Sequence, residues 1–332
     1  MSKSEATLYR KIFRDVVQGF TKVFHGEELI FIKHLTTHDQ VNLEDIEENF
    51  FNKAQARGLK TEQESLDQII KDELWTREDE QFLSTQKSYV ENLYKGKSQL
   101  ILKSQIDNQE RLINTELKKL DEKINEKNEL LGETCEKYSK KRANDYYIMT
   151  SFYSDEKLTT KLYEEKEFDD VGYSRLSELV NIHNEHFSVF SEDNIQKTIL
   201  EDFFFPFMSF SEDTMQFFGK PVCELTNHQV KLIIFARIFK SIFDNNENIP
   251  EKIRKDPKAL IDFASTSNKG KEELDRHEEK GGATTVVGAT KEDYEYMGVN
   301  PVKAEGGVSL HEKAKKKGGT LNMNDLMEMA GQ

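Results

Sequence analysis

Through residues 99–131, apolar side chains recur at Ile106, Ile113, Leu117, Leu120, Ile124 and Leu131, spaced seven, four, three, four and seven apart. That rhythm is an a/d seam along one helix face, with Glu110 and Lys127 in two seam positions. It predicts a long helix. The helix either folds back on residues 77–94 as a helical hairpin or pairs as a short coiled coil. Gly132 closes it, and Thr134 is placed to cap a successor running through RANDYYIMTSFY.

Upstream, Leu8, Ile12 and Val16 put an apolar stripe on a short helix at 5–18. The period then changes. FTKVF, HGEE and LIFIKHL (20–35) predict a β-hairpin turning at Gly26. A lone hairpin is marginal, so it must pack on something. Helices follow. Thr36 or Thr37 caps one that ends near Arg57 before Gly58, Thr61 and Glu64 have capping-box spacing, and Thr76 with Asp79 starts another just after Trp75.

Residues 154–172 are charged and irregular. Helical periodicity resumes at 173–190 with Leu176, Leu179, Val180, His183 and Phe187, and again after Ser191. Thr226 and Gln229 open the most apolar helix, 227–243, and short helices around Pro250 and Pro257 close the body. From 266 to 332 the chain holds ten of its 17 glycines and no phenylalanine. That composition predicts a flexible tail, too poor in large apolar groups to offset its ordering entropy. Its terminal LNMNDLMEMA is a candidate docking helix, with Leu321, Leu326 and Met329 among its partner-binding residues.

The expected fold is therefore mainly α: a multi-helix body with an N-terminal β-hairpin, a central helical hairpin or short coiled coil, and a flexible C-terminal tail. The expected segments are 1–60 (helix, hairpin and first body helix), 61–153 (helical hairpin or coiled coil), 154–265 (Phe-rich helical core) and 266–332 (tail).

Charge narrows the partners. The formal net charge of −14 disfavours general binding to nucleic acid or to anionic membranes. MSKSEATLYRK lacks a signal-peptide apolar run, and VKLIIFARIF, the most apolar stretch, is broken by Lys231 and Arg237. The expected location is cytoplasmic. Cys135 and Cys223 are expected as free thiols.

Candidate chemistry is sparse. Gly96-Lys97-Ser98 lacks the earlier glycine of a phosphate-binding loop, since position 91 is glutamate. His34 and His38 straddle a strand-to-helix boundary, and His183 with His186 would be only two ligands of the three or four that zinc needs. No G-x-S-x-G elbow is present. The reading is no enzyme, no cofactor and no metal.

Five stretches carry a family resemblance: IKHLTTHDQ, RGLKTEQESL, LWTREDE, LLGETCEKYSKKRAN and FFGKPVCELTNHQVKLIIFARIFK. Over roughly residues 20–265 the chain is similar to tail and baseplate assembly proteins of contractile-tailed phages, including tail assembly chaperones. The resemblance implies a protein that binds other phage structural proteins, a tail tube, tape measure or baseplate component, in the host cytoplasm during assembly or in the virion. An oligomeric coiled-coil scaffold or internal capsid protein is the other reading. The oligomeric state stays open.

Residues 201–219, EDFFFPFMSFSEDTMQFFG, hold seven phenylalanines, and ten of the chain's 22 lie within 203–243. They predict a compact aromatic core where the 200–210 turn meets two helices, one of them capped by Ser211. Three consecutive rings cannot all point into one core, so one must face outward. Phe204 is the candidate for that partner-binding position.

Overall fold

The computed structural model describes residues 3–100, 103–246 and 249–265. Leu321, Leu326, Met329 and the rest of 266–332 lie outside the described residues. Two compact units are distinguished. Met1–Val90 and Glu116–Ile261 form one, and Glu91–Thr115 belongs to the other with 262–265.

In the first unit, α1 (Lys3–Gln18) leads through Gly19 into β1 (Phe20–His25) and β2 (Glu28–Lys33). The strands pair in antiparallel register from Phe20 opposite Lys33 to His25 opposite Glu28. Gly26 supplies the left-handed turn residue at φ 64°. A third strand, β3 (Phe152–Tyr153), adds to β2, with Phe31 opposite Tyr153 and Ile32 opposite Phe152. The sheet order is β1-β2-β3. The sequence pattern predicts 152–153 as the end of a helix. That helix stops earlier, at Thr150, and Ser151 lends its carbonyl to the Lys33 amide at 2.9 Å.

Helices cover the sheet. α2 (Thr37–Ala56) starts at Thr36, whose hydroxyl accepts from the Asp39 amide, while Asp39 accepts from the Thr36 amide. α3 (Glu62–Lys71) starts with the same reciprocal box at Thr61 and Glu64. α4 (Arg77–Lys97) has it at Thr76 and Asp79. α5 spans Lys103–Leu131 and α6 Cys135–Thr150. α2 packs along α6, and α6 on α7 (Tyr173–Phe187). The segment boundaries at 60 and 153 are therefore not packing boundaries. Val23, Ile30, Ile32, Phe50, Ile148, Met149, Phe152 and Leu179 form the shared core. Burying one such side chain contributes ~1.5–3 kcal/mol.

The a/d rhythm is a helical hairpin within each unit. In the first, Lys123 meets Asp79 at 2.8 Å, Lys127 meets Glu80 at 2.8 Å, and Gln86 donates to the Glu116 carboxylate at 2.6 Å. In the second, Lys97 pairs with Glu110, and Gln109 donates to the Leu93 carbonyl at 3.2 Å. Ile106, Ile113, Leu120 and Leu131 are buried, and Leu117 is half-buried. Ile124 departs from the prediction and is exposed. Lys123 is half-buried beside it, and so is Lys127, which the spacing already places in the seam. Their stems cover apolar surface while their ammonium groups reach acids on α4.

The carboxyl-terminal part of the first unit carries α8 (Glu192–Ile199), α9 (Thr214–Phe218) and α10 (Asn227–Asn245), with a 3-10 stretch at Phe205–Glu212. α9 is not capped by Ser211, whose hydroxyl instead donates to the Met208 carbonyl at 2.6 Å. Asp213 caps it, and Gly219 ends it at φ 67°. Ile195, Ile199, Leu232, Ala236 and Phe239 are fully covered, and α10 lies against α8 and α1.

Candidate functional site

The phenylalanine stretch divides into an inner and an outer set. Phe204 is fully buried, edge-on to Phe13 of α1 at 5.5 Å between ring centroids. This corrects the expectation that Phe204 is the outward ring. Phe13 also meets Phe203 at 5.7 Å and Phe207 at 5.3 Å. Phe204 sits in the turn that leads into the 3-10 stretch and Phe205 opens that stretch, so one ring reaches Phe13 while its neighbour swings to solvent. That neighbour is Phe205, 56% exposed.

Phe207 and Phe210 are also exposed, at 40% and 50%. α10 presents Ile234 and Ile238, one turn apart on its outer side, at 49% and 39%. Two sets of bonds fix these elements to each other. Arg237 donates from Nε to the Ser211 carbonyl at 2.8 Å and from Nη2 to the Glu212 carbonyl at 3.0 Å. Lys240 pairs with the Glu212 carboxylate at 2.6 Å. Phe205 itself lies 5.8 Å from Phe243 of α10. The outward rings therefore stand on a pinned backbone, and displaying them costs little further ordering when something covers them.

An apolar surface of this kind does one thing chemically: it gains free energy by leaving water. Each covered ring or isoleucine is worth ~1–2 kcal/mol before association costs. Smaller exposed apolar positions lie at the hairpin tip, where Phe24 stands opposite Leu29.

The histidines are distributed differently from their sequence spacing. His38 lies beside Asn42 at 3.2 Å, away from the ring set of His34. His34 instead meets His228 at 5.1 Å between centroids, and His183 stacks on Phe187 at 4.0 Å. Positions 34, 183 and 228 share no short spacing, so only the tertiary fold could reveal this cluster. Among the described residues, no group of three His, Cys, Asp or Glu is placed to hold a metal ion. No helix among them is long and apolar enough to cross a membrane. Cys135 is buried, its thiol donating to the Leu59 carbonyl at 3.1 Å, and burial pushes its pKa up. Cys223 is exposed.

Compared with protein-family models, curated proteins and solved structures, the chain matches none.

Proposed function

We propose that this protein is a non-enzymatic assembly or structural protein that holds other protein chains through its helical surface, and that the face built by Phe205, Phe207, Phe210, Ile234 and Ile238 makes the contact. The observation that carries the reading is the outward set of rings on a backbone already pinned by Arg237 and Lys240. Exposed apolar patches of this sort mark interaction sites. The resemblance of residues 20–265 supplies the partner class: a tail tube, tape measure or baseplate component of a contractile-tailed phage, met in the host cytoplasm during assembly. An oligomeric scaffold built on 103–131 has less support, because Ile113 and Leu120 are already covered within one chain.

The test is co-elution. The purified chain is mixed with recombinant tail-tube, tape-measure and baseplate proteins encoded beside its gene and run on size exclusion with light scattering. A complex is expected with one of them, lost in the F205S/F210S variant while the variant itself stays folded. If no component co-elutes with the wild type, the reading fails.

A further inference from the structure

His34, at the end of β2, His183 of α7 and His228 in the first turn of α10 meet inside one aromatic cluster. His34 lies edge-on to Phe187 at 5.2 Å and to Phe190 at 4.9 Å, and His228 stacks on Phe190 at 4.9 Å. His34 is fully buried and His183 is 9% exposed. Each ring keeps one buried nitrogen, Nδ1 of His34, Nε2 of His183 and Nδ1 of His228, that finds no hydrogen-bond partner among the described residues.

The groups facing these rings are neutral or positive. β1 brings the Thr21 hydroxyl, 2.9 Å from Nε2 of His34. α6 brings Tyr147, whose ring is 6.3 Å from His183 and whose hydroxyl donates to the Lys33 carbonyl at 3.1 Å. α7 brings the Asn184 side-chain oxygen, 3.4 Å from Nδ1 of His183. α10 brings Lys231, whose charge disfavours a proton on His228. Asp39, an acid whose charge reaches Tyr147, is already held by Lys33 and Thr36. A proton added to any of the three rings would sit in an apolar cage with no counter-ion against it among the described residues.

The same place joins the two ends of the unit. Thr36 and Thr226 form an antiparallel bridge, the Asn227 amide donates to the Leu35 carbonyl at 2.9 Å, and the Gln229 side-chain amide donates to the Val17 carbonyl at 3.1 Å. We propose that the His34–His183–His228 cluster is an acid-opened latch: neutral, it clamps the first turn of α10 to the N-terminal hairpin, and protonation releases that turn.

The direction follows from linkage. Burial, before any charge effect, lowers the pKa of all three, well below the ordinary histidine value for His34 and to about 4 for His228. A histidine with a depressed folded pKa costs nothing above its unfolded value of 6.5. Below that value the opened state takes up protons that the closed state refuses. Closure therefore weakens as pH falls from 6.5 towards 4.

Amide hydrogen exchange on the full chain, at about pH 7.5 and about pH 5 and corrected for intrinsic rates, tests this. Opening of 20–36 and 227–233 is expected to rise ~30-fold from His228 alone, and further with the other two rings. Exchange along 116–131 should change far less. The H183F/H228F variant keeps ring stacking but cannot take up those protons, so its acid response should shift to lower pH. Unchanged protection of the junction in the wild type at the lower pH overturns the latch, and so does an equal rise along 116–131, which is global acid unfolding. An acid response in H228F identical to that of the wild type overturns it as well. That single variant decides the matter if the double variant does not fold.

Discussion

Thr36 and Thr226 cap two different helices with the same reciprocal box and also pair with each other in an antiparallel bridge. Each hydroxyl accepts from an amide three residues on, and in each case that residue's side chain returns to the threonine amide. Thr226 is buried, so its lost bonds cannot be remade with water. Replacing it with alanine is expected to cost ~1–2 kcal/mol in urea unfolding, and Thr36→Ala ~1 kcal/mol. Because the two share a bridge, the double variant should depart from additivity by at least ~0.5 kcal/mol. Simple additivity would mean that the bridge carries no coupling.

Phe204 and Phe205 are neighbours with opposite fates. Phe204→Ala removes a ring packed against Phe13 and should cost ~3–5 kcal/mol. Phe205→Ser should move stability by no more than ~0.5 kcal/mol. It should, however, reduce binding of a hydrophobic dye to the native protein. Equal destabilisation by both changes would contradict the division into inner and outer rings.

The seam gives a third contrast. Ile113→Asp and Leu120→Asp each place a charge at a position buried within one chain. Both are expected to lower the melting temperature without changing the molar mass by light scattering. A fall in mass before any loss of helicity would show that the seam joins separate chains.

Trp75 is the chain's single tryptophan and is buried at the base of the α4–α5 hairpin. Its indole N–H donates to Glu80 at 2.8 Å, and the Lys123 ammonium stands 4.5 Å from its ring centre. Lys123→Met keeps the stem and removes the charge, so tryptophan emission should shift while the fold is retained. The hydrogen bond from Lys123, with those from Thr76, holds Asp79 down at about 2. A depressed carboxylate stabilises the fold above its unfolded value of 3.8 and loses that contribution as pH falls towards 2. In Lys123→Met the folded carboxyl moves back towards 3.8, so this acid-linked loss of stability should shrink, read from Trp75 fluorescence. An unchanged acid profile would remove Lys123 as the cause.

Local signals in the sequence were easy to read, since they act over three or four residues. The boxes at Thr36, Thr61 and Thr226 and the glycines at 26, 58 and 132 needed no tertiary knowledge. β3 was hidden because two residues cannot show a period of two, and Phe152–Tyr153 follow a helical pattern without a break. The half-buried place of Lys123 next to an exposed Ile124 was hidden because an apolar count gives no weight to a lysine stem. The inward aim of Phe204 is hidden in the sequence because the 3-10 stretch after it has neither the helical nor the strand period. The histidine cluster depends wholly on long-range closure.

The central position of β2 has a consequence for synthesis. β1 can pair with it as soon as both leave the ribosome, but its other edge waits for Phe152, and the Leu35 carbonyl waits for Asn227. At ~5–20 residues per second, the interval between Lys33 and Thr226 is roughly 10–40 s. Ile30 and Ile32, both destined for the core, gain Val23 and Phe50 early, but the rest of their cover waits for Ile148, Phe152 and Leu179. The nascent hairpin thus depends on late-made residues for its outer edge and for its junction with α10.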